Sequence, residues 1–388
     1  MIWTLLIIPF IAIVILIFSC KHLIVWWEYL LLFLIPLITI AIAKFLSVDN
    51  QVRDIEFWNS YFVRAEYVEP YFTWDDETCT RSVSCGTDAD GNTKTCTEYY
   101  DCSHCDYNGP SWTAYDNIGK SFNIDQSMFE KLCKEWNNKN FIELNRCIVK
   151  QWNCGKDGDM YVTNFNGQLD KIHYVVTSHN YTNKVQTSRS IYKFSNVDST
   201  DKKTYKLFDY PIVKNYEFYY DPILGWNDVI AENKLQSYNA ILGSSKKVHM
   251  LICIFENQPM KAGLLQEQYW KGGNKNEVIL CLGISRGISE GDATKELTVQ
   301  WARIISWTES NNFKTNLVNK IQGKKFEINS ITDTLISDVQ KYYKKKSFKD
   351  FNYINVEPTT NTIITTFIIV CILTIGLSIF SIKNSSDA

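Results

Sequence analysis

The sequence predicts a membrane-anchored α+β protein, in which a β-rich, cysteine-stapled domain is followed by an α/β layered domain and transmembrane helices flank the pair. Three observations carry this. Long uncharged apolar runs stand at both ends, eight of the twelve cysteines crowd into residues 79–154, and the hydrophobic period changes near residue 225. The 388 residues include 40 Lys and Arg against 42 Asp and Glu, and 45% are apolar. That balance excludes a disordered chain, a collagen-like fibre and a nucleic-acid binder working by bulk positive charge.

Residues 2–18 (IWTLLIIPFIAIVILIF) are uncharged for 17 positions, near the lower length for crossing a hydrocarbon core of about 30 Å. A second run follows Trp26, Trp27 and Glu28, with the two Trp placed like an interfacial belt and Lys44 close enough to its end to snorkel. Together they predict a transmembrane hairpin over residues 1–48. A cleaved leader is the alternative for the first run, but no Lys or Arg precedes it and no small-x-small pattern follows. The third span is 362–382, with a tail at 383–388. The soluble domains are expected at 52–222 and 226–355, both on one side of the membrane.

The side is argued from two directions. Arg53, Lys341, Lys344, Lys345, Lys346 and Lys349 flank the soluble part, against Lys21 and Lys383 opposite, which favours the cytoplasm. That rule holds for short loops, however, and large domains translocate largely regardless of charge. The cysteines favour an oxidising, extracytoplasmic side: Cys79, Cys85, Cys96, Cys102, Cys105, Cys133, Cys147 and Cys154 form an even set beside a membrane anchor. The first four are spaced C-x5-C-x10-C-x5-C around the turn signal at 87–92. An antiparallel hairpin there brings Cys85 near Cys96 and Cys79 near Cys102. The alternatives are zinc, since Cys102-Ser103-His104-Cys105 supplies a C-x-x-C with His104 inside it for a tetrahedral site in a reducing compartment, and unpaired buried thiols.

Residues 52–220 read mostly as strand, with aromatic and β-branched runs at 55–68, 171–178, 190–194 and 205–213. One helix is predicted at 126–137, where Met128, Phe129, Leu132, Cys133 and Trp136 recur at three- and four-residue spacing. After residue 225 the pattern becomes helix 227–242, buried strand 247–255, helix 261–270, buried strands 277–284 and 297–307, then helices 312–321 and 328–343. Near-continuous apolar strands between helices predict a sheet covered on both faces.

The helix, apolar strand and helix ending in Tyr269-Trp270-Lys271, with the loop Gly272-Gly273-Asn274-Lys275-Asn276 and the strand EVILCLGI, resemble the TPM domain over residues 226–345. That Rossmann-like module is usually exported and tethered by a C-terminal transmembrane helix. Separately, TCTRSVSCGTDADGNTKTCTEYYDCS behind membrane spans resembles uncharacterised membrane-anchored proteins of large tailed phages. The TPM resemblance implies either metal-dependent phosphatase activity or a role in assembly of membrane complexes. Where that family carries an acidic residue before the second buried strand, this chain has Lys275 and Asn276, removing a hard oxygen ligand for calcium or magnesium.

No GxxxxGK[ST], HExxH, GxSxG or kinase signature occurs. Fragments of a calcium loop at Asp88-x-Asp90-Gly91-Asn92 and Asp157-Gly158-Asp159 lack the closing Glu and read as turns. His173 and His179 fall on one face of an extended strand, and His249 sits in a buried strand where a core role is expected. Asp228 and Glu232, four apart, are candidate metal ligands beside His104, with a helix-dipole role as the simpler reading. Lys344–Lys346, shortly before the third span, reads as a solvated helix end, with contact to anionic lipid headgroups as the alternative for a cytoplasmic domain. The expectation is a non-catalytic membrane-tethered binding or assembly protein with no resident cofactor, whose partners are the lipid bilayer and another membrane or envelope protein, not nucleic acid. The alternatives are a metal-dependent phosphatase of TPM type and a cytoplasmic zinc-binding scaffold.

Overall fold

The computed structural model describes residues 2–20, 24–87, 93–144, 158–187, 194–211, 221–286 and 296–386. A 3-10 turn, Ile2–Leu6, leads into α1 (Ile7–Cys20), and α2 (Trp26–Val52) follows. Strand β1 (Arg53–Val68) begins at the next residue, with no loop between. Its run of Ile, Phe, Trp, Tyr and Val suits an extended, half-buried backbone.

The β-rich region continues with β2 (Tyr71–Asp75), β3 (Thr78–Thr87), β4 (Thr93–Asp101), β5 (His104–Asn108), β6 (Ser111–Asp116), β7 (Ser121–Asn123), α3 (Gln126–Trp136), β8 (Asn140–Ile142), β9 (Met160–Asn164) and β10 (Tyr174–Thr182). β1 is its spine. Residues Arg53 to Tyr61 pair antiparallel with β10, and after a bulge between Phe62 and Arg64 the strand lies between β6 and β9. The sheet order is β7-β6-β1-β9-β8. Helix α3 buries Phe129, Leu132 and Trp136 against Phe62, Ala65 and Ala114, the apolar face its spacing predicts. Asp125 caps it by accepting the Met128 N–H at 2.7 Å.

The α/β region comprises α4 (Ser199–Thr204), β11 (Ile223–Leu224), α5 (Val229–Lys246), β12 (His249–Glu256), α6 (Lys261–Tyr269), β13 (Glu277–Arg286), β14 (Leu297–Ser306), α7 (Asn311–Ile321) and α8 (Ile328–Tyr342). Its mixed sheet has the order β11-β12-β13-β14, parallel through β13 and antiparallel to β14. One face carries a core of Met250, Ile252, Leu280, Leu235, Leu317 and Leu335; the other buries Leu251, Phe255, Ile279, Trp301 and Ile305. Both faces are covered, as the unbroken apolar strands require.

The strand expected at 205–213 is not one. Residues 205–211 run as irregular chain, because buried Gln266 donates to the Phe208 carbonyl (3.1 Å) and accepts the Phe208 N–H (2.9 Å), supplying from a side chain what a neighbouring strand would supply. The strand expected at 190–194 and the turn at 88–92 lie wholly or mostly outside the described residues.

Helix α9 (Thr360–Ser386) closes the chain. Ile2–Ser19, Trp26–Val52 and Thr360–Lys383 are each long and apolar enough to cross a membrane. They form a bundle around Ile2, Leu5, Ile40 and Val370 at one end and Leu16, Ile24 and Leu32 at the other. Where α2 leaves the bundle, Gln51 Nε2 donates to the Glu357 carbonyl (3.1 Å) and the Thr359 N–H to Ser47 Oγ (3.3 Å).

The two soluble halves are joined along β1. Asn276 Nδ2 donates to the Phe57 carbonyl (2.5 Å), Asn117 Nδ2 to Ser244 Oγ (2.7 Å), and Val176 of β10 is part of the α/β core. Helix α5 approaches β1 so closely that a Cβ at Gly243 would overlap the Asn59 backbone. Gly243→Ala should therefore destabilise, by about 1–2 kcal/mol net: overpacking costs about 1–3 kcal/mol and the better helix propensity of Ala returns up to about 1. Thermal unfolding in detergent should show a Tm drop of about 1–3 °C. Gly109→Ala, where a Cβ meets only the edge of Tyr107, should be neutral; equal behaviour of the two variants would contradict the close approach.

Candidate functional site

Strands β2 to β5 form an arm. Val68 and Ser111 are paired in the β1–β6 ladder, so residues 69–110 leave the sheet and return at adjacent points. Within the arm, Asp75 pairs with His104 and Thr78 with Asp101, and the Cys102 N–H donates to the Glu77 carbonyl (3.0 Å) between them. The two short ladders thus keep one register and make a single antiparallel ribbon. Alternation places Cys79, Arg81, Val83 and Cys85 on one face opposite Cys96, Glu98, Tyr100 and Cys102; Thr78, Thr80, Ser82, Ser84, Thr95, Thr97 and Tyr99 lie on the other.

Disulfides Cys79–Cys102 and Cys85–Cys96 staple the first face, with Cα separations of 5.8 and 5.7 Å. Each is diagonal: the residue directly opposite Cys79 is Tyr100, and that opposite Cys96 is Val83. The mirror spacing in the sequence foretells the partners, while the ladder is offset from it by two residues. All nine residues of β4 are exposed, and no ribbon residue belongs to an apolar core among the described residues. An isolated two-stranded ribbon is marginal in water, and loop closure by each disulfide is worth about 3 kcal/mol in the chain-entropy account. The exposed Arg81–Glu98 ion pair (2.8 Å) with Arg81 over the Tyr100 ring (5.4 Å) adds less, about 1 kcal/mol at most. The ribbon therefore persists through its staples. Tyr99 and Tyr107 remain 72% and 61% exposed on it.

The remaining candidates separate. Cys105 is disulfide-bonded, and Cys147 and Cys154 lie outside the described residues. Cys133, expected in the disulfide or zinc set, is instead a free, half-buried thiol on the inner side of α3, and burial raises its pKa. The helical spacing that marks it as inward-facing is the better guide there than the even cysteine count. Among the described residues, Glu77, Cys79 and Cys102 are the one group of three or more metal-ligating atoms within 4.8 Å, and its sulfurs supply thiolates only after reduction. His104 is exposed and turns to the Cys102 carbonyl (3.3 Å) and to Asp106 (3.1 Å).

Asp228 and Glu232 form a reciprocal helix cap. Asp228 Oδ1 accepts the Ala231 N–H (2.9 Å), Glu232 Oε1 accepts the Asp228 N–H (3.1 Å), and Asn329 donates to Asp228 Oδ2 (3.3 Å). His249 is buried beside Glu277 at 3.7 Å, inside the sheet. His173 pairs with Glu135 of α3, whereas His179 lies flat on Trp58 with ring centroids 3.4 Å apart, so the two share no site.

Sequence reading misses a second cluster, at the seam. Glu56 of β1, almost fully buried, accepts both Lys345 (2.7 and 2.9 Å) and, at 3.6 Å, Lys275. Lys345 is thus not a solvated helix end, although its neighbours Lys344 and Lys346 pair outward with Glu309 and Asp350. Lys275 is likewise committed to Glu56. Its ammonium lies 3.7 Å from the Tyr181 ring centre, and the Tyr181 hydroxyl donates to Asp54 (2.6 Å). Sequence separations of 127 residues between Asp54 and Tyr181 and 289 between Glu56 and Lys345 leave no local signal.

No protein-family model, curated protein or solved structure matches the chain. What the molecule itself defines is a membrane-associated α+β protein with a stapled arm and a charged seam.

The seam sets a pH response. Burial, reinforced by Lys120, Lys247 and Lys345 against the weaker opposite pull of Asp116, pushes the His179 imidazole down to about 4, while Thr177 Oγ1 lies 2.7 Å from its Nε2. A histidine in unfolded chain titrates near about 6.5. Between those values the unfolded state alone takes up this proton, so the stability contributed by neutral His179 is complete above about pH 6.5 and is lost as the pH falls toward 4. His179→Gln should flatten the fall of Tm between pH 7 and 4.5 relative to the parent; parallel curves would count against the assignment.

Proposed function

We propose that the chain is a non-catalytic, membrane-tethered binding or assembly protein that presents its soluble halves on the outer, oxidising face of a membrane and engages another membrane or envelope protein through the ribbon. The observation that carries this is the arm itself, a stapled two-stranded ribbon whose β4 and most of β5 are exposed and which joins no apolar core among the described residues. Its two outer edges offer backbone N–H and C=O groups to a partner strand, and its exposed tyrosines add apolar area with a polar tip. The disulfides favour the oxidising side. The commitment of Lys275 to Glu56 and of Asn276 to the Phe57 carbonyl supports a binding role for the TPM-like half over phosphatase chemistry, since the loop joins the two halves instead of presenting carboxylates.

An impermeant thiol reagent applied to intact membranes should leave Cys79, Cys85, Cys96 and Cys102 unlabelled until reduction and label all four from outside afterwards. Labelling that needs opened membranes and no reductant would move the domain to the cytoplasm and favour the zinc scaffold. For the partner, a photo-crosslinking residue at Tyr99 or Tyr107 should give adducts to a second membrane protein in native membranes, and one at exposed Lys271, away from the arm, should not. Equal adducts at all three sites would remove the arm from the function, and chelator-sensitive hydrolysis of a phosphate ester would overturn the non-catalytic reading.

A further inference from the structure

We infer that Lys247, Lys275 and Lys345 form a binding site for a phosphate-bearing anion, the headgroup of an acidic phospholipid, where β1 leaves α2. The inference rests on the reading that the apolar bundle lies in a membrane.

The charge count is the starting point. Lys275 and Lys345 are half-buried, with side chains 14% and 19% exposed, and they share the single carboxylate of Glu56. One negative charge does not neutralise two ammoniums held out of water, and burial lowers the pKa of both lysines despite the pull of Glu56. Lys247 adds a third cation, 5.5 Å from the Trp58 ring centre on the same side. Among the described residues neither Lys247 nor Lys349 has a carboxylate within 4.0 Å. Asp54, the next acid on β1, accepts from the Tyr181 hydroxyl and from Asn183 (2.7 Å) but its charge still draws on Lys275, so two carboxylates face the three ammoniums. A surplus of positive charge is thus built into a half-enclosed place.

That place is a cavity of about 540 Å³, lined by these three lysines with Lys346 and Lys349, and carrying the hydroxyls of Thr182 and Ser347. It is large enough for a phosphodiester and its first substituent. Phosphate suits it because several ammonium donors can each take one of its oxygens as charge-assisted hydrogen bonds.

Position favours a lipid over a free anion. Tyr181 and Thr182 pair with Asp54 and Arg53, the first residues beyond α2. Directly beside the cavity runs an apolar groove of about 420 Å³, formed by Phe45, Val48 and Val52 of α2 with Ile354 and Val356. Lys184, on the groove, donates to the Asn352 carbonyl (2.9 Å), and Asn352 lines the cavity. This bond joins a residue of the groove to a residue of the cavity, an acyl chain fitting the first and a phosphate the second. Clustered lysines at a membrane face attract acidic headgroups by about 1 kcal/mol each.

The test uses the full chain in detergent micelles supplied with phosphatidylglycerol or phosphatidylcholine of the same acyl length, read by native mass spectrometry. One phosphatidylglycerol per chain should be retained and phosphatidylcholine should not. Lys247→Ala with Lys349→Ala leaves no carboxylate unpaired, and should weaken retention about tenfold or more with Tm unchanged. Displacement by glycerol 3-phosphate and not by glycerol would support recognition of the phosphate itself. Inorganic phosphate binding as tightly as the lipid would place the ligand in solution and overturn the headgroup assignment; equal retention of both lipids, or no effect of the double variant, would overturn the site. Release of the chain from membranes by alkaline carbonate would instead refute the membrane reading on which the inference rests.

Discussion

The absence of a loop between α2 and β1 constrains everything beyond it. Val52 is the last helical residue and Arg53 the first extended one, so the direction in which the long strand leaves the apolar bundle is fixed by a single peptide. Three contacts hold that junction: Gln51 to the Glu357 carbonyl, the Thr359 N–H to Ser47, and Gln186 Nε2 to the Gln51 carbonyl at 2.8 Å. Entry to and exit from the bundle are thereby tied together, and the soluble part is held at two points. β1 then serves two masters in turn, resting its first half on the α/β layer and giving its second half to the six-stranded sheet. A strand with two packing partners leaves little freedom for the halves to move apart, which is why Gly243 and Asn276, far apart in sequence, both meet its backbone.

How much of this is legible in the sequence depends on the range of the interaction. Local signals read well. The apolar spans need only length and hydropathy; the apolar face of α3 follows from residues three and four apart; and the mirror spacing of Cys79, Cys85, Cys96 and Cys102 names two disulfide pairs because a hairpin is a local object. The two-residue offset between that spacing and the ladder is not legible, since strand twist brings diagonal neighbours within bonding distance and no residue announces it. Residues 205–211 mislead for a different reason: their aromatic composition suits any half-buried extended chain, and a distant side chain, Gln266, completes the hydrogen bonding that decides the case. The seam is the least legible part. Lys345 stands in a basic run that reads as a solvated helix end, and nothing near it in sequence indicates that Glu56, 289 residues earlier, waits on the far side of the fold.

Burying an ion pair is a poor way to gain stability, because desolvating the charges cancels most of their attraction, and apolar residues of the same volume would serve the interior as well or better. Glu56 with Lys345 therefore contributes little net energy that packing between β1 and α5 does not already give. Losing one partner is another matter, since it strands a buried charge and costs several kcal/mol. The arrangement is thus demanding without being stabilising, and adding Lys275 to the same carboxylate makes it more so. Local consistency is the rule for sequences that specify one fold, and departures from it collect where a molecule meets something else.

The ribbon departs from the same rule in the opposite sense. The seam holds charge where apolar packing would serve as well, and the ribbon extends backbone that joins no apolar core among the described residues. Covalent cross-links solve the second problem by narrowing the unfolded ensemble, not by adding contacts to the folded one. That solution has a structural consequence: a ribbon held by diagonal disulfides on one face needs nothing from its other face or from its edges, and both stay free of folding duties. The Thr and Ser side chains on that face and the backbone of both edges are surplus to stability, just as the second ammonium at the seam is surplus to neutrality. The two sites differ in chemistry, one rich in carboxylates, with Asp75, Asp76, Glu77, Glu98, Asp101 and Asp106 against Arg81 and Lys94, the other cationic, half-enclosed and beside the junction. Each is a place where the chain, once folded, still has unmet interactions, and those are the interactions a partner can satisfy.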